Sequence, residues 1–325
     1  MVADNINLGG TAIKPVGWDR SGWENFKYML YDPSTGAILT RTPMSWIKII
    51  AFYIVYYTLL AGFWIGCMLI FFQTLPDNQP RWLLTESLIG NNPGVGVRPG
   101  TSDLHIDSSM YLLNSQDKDK SPSNKEGEGE KNIDYARRME MFLKGYDSKS
   151  AGLVSCDGSD DRNNGRCIFD LSVLESCGTY PYGFMPVDGK VHPCLFLKLN
   201  KIWNFRPKGI KAANVDDPEY DAMSEELKEI IRTSGDADQV YIDCKGRFPA
   251  DVEGVNLTYF PANRAIPSYF FPFSGGNYQS PLVAVKVEPV LKGTLLHIEC
   301  RAWFEGVVHS GKEKAGLTQF EVLVR

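Results

Sequence analysis

The sequence lacks the short motifs that mark common catalytic sites. It contains no H-E-x-x-H, no G-x-S-x-G, no Walker A loop and no Rossmann glycine fingerprint. Lys and Arg total 34 against 39 Asp and Glu, and they are scattered, which argues against a nucleic-acid partner. None of the four histidines has zinc-ligand spacing to a cysteine: His105, His192, His297 and His309. The sequence therefore predicts no metal site, no cofactor and no nucleic-acid binding.

Charge is absent from residues 49–72, a run of 24 mostly apolar residues. At about 1.5 Å per residue a helix over this run is roughly 36 Å long, enough to cross a hydrocarbon core of about 30 Å. A soluble helix of this length would carry a polar stripe, and the run starts too late for a cleaved signal peptide. We therefore predict a cytoplasmic tail over residues 1–45, a transmembrane signal-anchor helix over 46–75 and a domain outside the cytosol over 76–325.

Six of the seven cysteines follow the apolar run, and Cys67 lies within it. An even set on one side indicates a disulfide framework in an oxidising compartment, and hence a single-pass type II orientation. The one N-x-S/T sequon, at Asn256, lies on the same side and predicts a glycan there. Six cysteines allow fifteen pairings, of which the sequential one is the simplest. It pairs Cys156 with Cys167, Cys177 with Cys194, and Cys244 with Cys300.

Local composition predicts the layout of the outer domain. Residues 76–100, rich in Pro and Gly, predict an irregular linker, and residues 114–132 predict a solvated loop. Helices are predicted over 132–146 and over 217–234, the second with Asp217 as its N-cap and Pro218 at its first position.

Short segments rich in β-branched and aromatic residues predict strands. They are 194–199, 239–244, 282–287, 295–304 and 319–324. In 295–304, apolar and polar residues alternate, which predicts one buried and one solvated face. No βαβ rhythm is present. The predicted fold class is a single transmembrane helix plus a mainly-β ectodomain, an immunoglobulin-like antiparallel β-sandwich with extra helices and three disulfides.

One pattern favours a different class of protein. Golgi glycosyltransferases share the type II layout and hold a metal and a nucleotide sugar with a D-x-D pair. Asp117-Lys-Asp119 and Asp236-Ala-Asp238 have that spacing. The first pair lies in a low-complexity loop and the second in a turn after a predicted helix, where Asp is common. The hydrophobic runs of a parallel nucleotide-binding sheet are also absent, so we do not predict an enzyme.

Several segments, in order along the chain, resemble the β subunits of the sodium/potassium-transporting ATPase and of the related potassium/proton pump. Before the span, residues 26–42 have spaced aromatic residues, then Asp32 and then Arg41-Thr42. The matching segments in and after the span are Phe52-Tyr53, Tyr57, Ala61-Gly62 with Gly66, Arg166-Cys167, residues 174–177, 182–184, 193–200, 269–273, 281–285 and 298–302. The resemblance covers residue 20 to the C-terminus, except for residues 114–132 and 247–267.

The resemblance implies a subunit without a catalytic site. Its main partner would be the catalytic α subunit of a P-type ATPase, which hydrolyses ATP and transports Na⁺ and K⁺. The β subunit would support folding of α and its delivery to the plasma membrane, and it would modulate K⁺ handling. A small single-span regulatory subunit and membrane lipid are further expected partners. The alternative is a type II adhesion protein with an immunoglobulin-like ectodomain.

The resemblance also suggests which residues contact the α subunit. Tyr53 and Tyr57 are four residues apart, so they are expected to stack on one helix face that packs on α, the alternative being interfacial aromatics. Gly62 and Gly66 permit close approach of another helix. The run containing Tyr269, Phe270 and Phe271 is expected either to dock on α or to belong to the core, and docking is the preferred interpretation. We assign Trp303 and Phe304 to the core.

Overall fold

The computed structural model describes residues 22–33, 36–39, 41–100, 110–117, 131–146, 152–156, 166–235 and 238–325. Most of the predicted loop over 114–132, as well as His105, Asp119 and Asp236, lies outside these ranges. The chain divides into two compact units, Met1–Asn78 and Gln79–Arg325.

The first unit contains a short helix, a hairpin and one long helix. Helix α1 (Gly22–Leu30) leads into strands β1 (Tyr31–Asp32) and β2 (Ala37–Ile38), and helix α2 (Pro43–Gln73) follows. The Trp46 indole N–H donates to the Ile38 carbonyl at 2.9 Å, which fastens the hairpin to the first turn of α2.

Helix α2 is long and apolar enough to cross a membrane. It begins at Pro43, since proline has no N–H to leave unpaired in a first turn, and it ends where the Thr74 hydroxyl donates to the Phe71 carbonyl at 2.7 Å. Its 31 residues extend about 46 Å. The helix thus starts three residues before the predicted 46–75 span and ends two residues short of the end of that span. No α2 side chain is buried within the described chain.

The described part of the second unit contains nine strands in two sheets. They are β3 (Val95–Arg98), β4 (Met110–Leu113), β5 (Cys194–Leu199), β6 (Gln239–Gly246), β7 (Val255–Phe260), β8 (Ala265–Pro267), β9 (Val283–Pro289), β10 (Leu295–Trp303) and β11 (Leu317–Val324). The five-stranded sheet has the order β4-β11-β10-β6-β8 and the four-stranded sheet β3-β5-β9-β7. All five predicted strands are present, with ends that differ by up to two residues.

Two features of the sheets differ from the predictions. Strands β4 and β11 are parallel, so the sandwich is not purely antiparallel. A parallel pair needs a long connection, and these strands are far apart in the chain. The predicted irregular linker over 76–100 contains strand β3 and a 3₁₀ turn at Leu84–Glu86. Strand β3 has only four residues, with Gly96 inside, and pairing with β5 rather than local preference defines it.

The two sheets share one hydrophobic core. Strand β10 contributes Leu296, Ile298, Cys300 and Ala302 to it, as the alternating pattern predicted. The opposite face of β10 is not simply solvated, because Trp303 and Glu299 are buried there. Trp303 belongs to a second core under helix α4 (Glu225–Ser234), which also contains Tyr220, Met223, Leu227, Ile231 and Tyr241. Trp303 and Phe304 are thus core residues, as predicted.

The helices of the second unit are shorter than predicted. Helix α3 (Asn132–Leu143) ends in a 3₁₀ turn, Lys144–Tyr146. The predicted helix over 217–234 is two elements: a 3₁₀ turn at Pro218–Tyr220, then α4. The cap of α4 is Ser224, not Asp217, since the Ser224 hydroxyl accepts from the Leu227 N–H at 3.3 Å. A third helix, α5 (Pro249–Gly254), follows β6 and was not predicted.

The three disulfides pair the cysteines sequentially. Cys156–Cys167 closes a loop of 11 residues, Cys177–Cys194 one of 17 and Cys244–Cys300 one of 56. Cys244 and Cys300 lie directly opposite each other on β6 and β10, so this bond joins two central strands. Cys67 is the one free cysteine and is exposed on α2.

Candidate subunit interface

The exposed rings of α2 form a cluster on its first half. Tyr53 and Tyr57 stack with centroids 5.8 Å apart and planes 23° apart, which confirms the predicted i, i+4 stack. Both rings are exposed and have no partner helix in the described chain. The pair therefore presents a flat, rigid aromatic surface outward from the span.

A second stacked pair, which the sequence interpretation missed, lies beside the first. Phe52 and Tyr56 are 6.2 Å apart with planes 13° apart. Edge contacts join the pairs, at 5.5 Å between Phe52 and Tyr53 and at 5.3 Å between Tyr56 and Tyr57. The same i, i+4 spacing that identified Tyr53 and Tyr57 could have identified this pair. The four rings cover two adjacent faces of the helix.

Gly62 and Gly66 leave an open strip further along α2. A Cβ atom built on either glycine would meet nothing within 4 Å. Another helix could therefore approach the α2 backbone closely here without displacing any described side chain. The nearby Thr58 hydroxyl donates to the Ile54 carbonyl at 2.7 Å, so this polar group is satisfied inside the helix.

In the ectodomain, the aromatic run divides between core and surface. Phe270 is 5% exposed and packs edge-on against Phe169 at 5.8 Å, while Phe271 is 7% exposed and packs against Phe205 at 6.2 Å. Both rings belong to the core shared by the sheets, so the docking interpretation is wrong for them. Tyr269 is half-buried and lies 4.7 Å from Phe270, which leaves it as the contact candidate from this run.

The described histidine and aspartate residues weighed above as metal ligands make hydrogen bonds or ion pairs with other residues of the fold. His192 Nδ1 lies 3.3 Å from Glu288, and the Lys286 ammonium is 2.6 Å from the same carboxylate. The hydrogen bond from Lys286 is the main reason that the pKa of Glu288 is lowered. Asp238, the described member of its D-x-D pair, accepts from the Gly209 N–H at 3.0 Å. Within the described ranges, no three His, Cys, Asp or Glu side chains converge as metal ligands would.

Asn256 is placed where a glycan could extend into solvent. It lies on β7, an edge strand of the four-stranded sheet, and is exposed together with Thr258, the third residue of its sequon. Alternate residues of a strand point to the same side, so asparagine and threonine share the outer face. Its occupancy stays a prediction.

A family model and three known proteins match almost the whole chain. The model for the sodium/potassium ATPase beta chain matches residues 18–322. The chain is 32% identical to sodium/potassium-transporting ATPase subunit beta-1 of Drosophila melanogaster over 311 residues, 93% of each chain. It is 30% identical to subunit beta-2 of the same species over 319 residues, 94% of each. With subunit beta-2 of Homo sapiens, identity is 26% over 289 residues, 86% of each.

Proposed function

Because this chain belongs to the sodium/potassium ATPase beta chain family, we propose that it is the non-catalytic β subunit of a sodium/potassium-transporting P-type ATPase. It binds the catalytic α subunit, supports its folding and its delivery to the plasma membrane, and modulates K⁺ handling. The C-terminal domain is extracellular and carries a glycan at Asn256. A small single-span subunit can join the complex as a third, regulatory component.

The observation that carries this proposal is the exposed surface of α2. A span that serves only as an anchor needs apolar residues but no particular arrangement of them. In α2, the stacked Tyr53 and Tyr57 lie on one face, and the strip at Gly62 and Gly66 lies one to three turns later on the opposite face, since successive residues are about 100° apart. Without a hydrophobic driving force inside the bilayer, helices associate through such packing and close backbone approach. We assign the face of Tyr53 and Tyr57 to a transmembrane helix of α, the strip at Gly62 and Gly66 to a second helix of α, and Tyr269 to a contact outside the membrane.

The disulfides and the sequon support the assigned orientation. Disulfides persist in the secretory pathway and outside the cell and are rare in the cytosol. Cys156–Cys167, Cys177–Cys194 and Cys244–Cys300 all lie on the same side of α2 as Asn256. A domain that folds only after oxidation gives the cell a checkpoint before the complex leaves the endoplasmic reticulum.

Co-purification tests both the function and the interface. The tagged chain is co-expressed with a sodium/potassium pump α subunit, solubilised in mild detergent and recovered, and the amount of α is measured. We expect α to co-purify with the wild-type chain and to be reduced several-fold by Tyr53→Ala/Tyr57→Ala. The matched control is Phe52→Ala/Tyr56→Ala, which removes an equally stacked pair from the neighbouring face and should retain α.

The two conclusions can fail separately. If wild-type chain never recovers an α subunit, the proposed function is wrong, and a free-standing adhesion protein becomes the better interpretation. If α is recovered but both double variants lose it equally, the function stands and the assignment of the interface to Tyr53 and Tyr57 is wrong.

A further inference from the structure

Three exposed apolar side chains lie near the start of β3, and the exposed Trp82 precedes them in the chain. Leu88 is fully exposed, Ile89 is 78% exposed, and Trp82 and Val308 are also exposed. We call Trp82, Leu88, Ile89 and Val308 the proximal patch. Isolated surface leucines are ordinary, but consecutive Leu88 and Ile89, both strongly exposed on one turn, form a marked apolar projection.

The turn that carries Leu88 and Ile89 has a defined conformation. The Ser87 hydroxyl donates to the Leu84 carbonyl at 2.8 Å and accepts from the Gly90 N–H at 3.1 Å. Gly90 has φ +74°, a conformation that glycine adopts without strain. The two apolar side chains at the tip are therefore held outward by an ordered turn.

A second loop is fastened to this turn. The Asn92 amide donates to the Val308 carbonyl at 2.5 Å, and its oxygen accepts from the Val308 N–H at 3.4 Å. The Gly316 N–H also donates to the Pro93 carbonyl at 3.0 Å. The exposed side chain of Val308 thus belongs to the same end of the sandwich as Leu88 and Ile89.

The length of the connecting chain limits how far the patch can lie from the end of the span. The span ends at Gln73, and nine residues further along is Trp82, at most about 30 Å away for a fully extended chain. Helix α2 is about 46 Å long, so it covers the hydrocarbon core and extends into the headgroup region. Tryptophan is typical of that region, and the Arg81 guanidinium, 5.6 Å from the Trp82 ring, is a cation that lipid phosphates attract.

We propose that the proximal patch inserts into the outer surface of the lipid bilayer and holds this end of the ectodomain against the membrane. The partner is the headgroup and upper acyl region of the lipid, with Leu88 and Ile89 as the inserting side chains. The inference rests on the proposed membrane span and its orientation but not on the α subunit, because the patch follows the span in the chain.

The structure supplies a matched control position. Val187 is also an aliphatic side chain, 72% exposed, in a loop that precedes β5. The patch precedes β3, which is antiparallel to β5 with Val95 opposite Leu199. Val187 therefore lies toward the far end of β5, at Cys194, away from the patch.

Lipid quenching of a single label tests the proposal. The full chain with Cys67→Ala carries Leu88→Cys, Val308→Cys or Val187→Cys, is labelled with an environment-sensitive fluorophore and is placed in nanodiscs containing lipid brominated near the headgroup. We expect blue-shifted emission and several-fold stronger quenching at positions 88 and 308 than at 187. Aqueous iodide should show the reverse order.

Two other outcomes of this experiment would overturn the proposal. Equal access of iodide to 88 and 187, with no lipid quenching at 88, would show that the patch is in water. The measurement is repeated with the α subunit bound. Protection of position 88 from both quenchers only in that complex would show that the patch contacts protein rather than lipid.

Discussion

At the scale of single residues, Arg264 is a buried cation held by two carboxylates and a ring. It is 4% exposed, and its guanidinium donates to Asp243 at 2.7 Å and to Glu226. The guanidinium carbon lies 3.9 Å from the centroid of the Tyr259 ring, whose hydroxyl donates to the Cys244 carbonyl at 3.0 Å. The group links α4, β6 and β7 beside the Cys244–Cys300 disulfide. Asp243 is itself buried, and its second oxygen accepts from the Ser224 N–H at 3.1 Å.

We predict that Arg264→Ala destabilises the chain by about 3–5 kcal/mol, because it leaves the Asp243 carboxylate buried without its cationic partner. The control is Arg232→Ala, which loses a more exposed pair with Asp216 and should destabilise the chain far less, because water and salt screen that pair. Denaturant unfolding of the full chain in detergent, followed by tryptophan fluorescence, measures both. Equal losses in the two variants would contradict the structural role given to Arg264.

His309 makes stability depend on pH. Burial lowers the pKa of this imidazole below its ordinary 6.5, and its Nε2 lies 2.9 Å from the Ala302 carbonyl. As pH falls below 6.5, the unfolded chain takes up this proton before the folded chain does, so the free energy of unfolding decreases. We predict that His309→Gln gives a shallower decrease than wild type across that window in denaturant titrations. An unchanged pH dependence would contradict this prediction.

At the scale of elements, five of the six described strands of six or more residues were predicted from local patterns, whereas β7 and the short strands were missed. Strands β5, β10 and β11 combine β-branched or aromatic residues with clear boundaries, so the pattern alone identifies them. Strands β3, β4 and β8 have three or four residues each, and cross-strand partners far away in the chain define them.

The candidate interface was predictable only in part. The stack of Tyr53 and Tyr57 follows from helical spacing, which requires no knowledge of the rest of the fold. An aromatic run such as 269–273 has the same pattern whether it packs inward or faces a partner. Only the positions of Phe169 and Phe205, distant in sequence, show that Phe270 and Phe271 are core residues.

Removal of different disulfides should lower the stability of the folded chain by different amounts. In the loop-entropy model, the 56-residue loop of Cys244–Cys300 corresponds to about 4 kcal/mol and the 11-residue loop of Cys156–Cys167 to about 3 kcal/mol. The first bond also joins two central strands. We predict that Cys244→Ser/Cys300→Ser lowers surface delivery of the chain more than Cys156→Ser/Cys167→Ser does. Surface biotinylation of cells expressing each variant measures this, and the opposite order would contradict the ranking.

At the scale of the whole molecule, two units of different chemistry carry complementary parts of one role. The first unit presents an apolar helix whose rings and glycines are exposed along its length. The second has its own core, its own disulfides and an exposed sequon. Because the second unit buries its apolar residues internally, it can fold before any partner arrives, whereas packing on α2 requires a second helix in the same membrane.

Because of this division, the glycan predicted at Asn256 would report both orientation and assembly. Because Asn256 is the one sequon, a single mass shift on glycosidase treatment is expected, and Thr258→Ala should abolish it while leaving the asparagine in place. We predict a glycan sensitive to endoglycosidase H when the chain is expressed alone and resistant when α is co-expressed, because in the proposed function assembly with α releases the pair from the endoplasmic reticulum.

The interface variants complete the same assay. Tyr53→Ala/Tyr57→Ala should keep the glycan sensitive even with α present, because the ectodomain still folds and is glycosylated but the span no longer pairs. Phe52→Ala/Tyr56→Ala should become resistant as wild type does. Resistance of the Tyr53→Ala/Tyr57→Ala chain would show that delivery does not depend on this helix face, and the ectodomain contact at Tyr269 would then have to account for assembly.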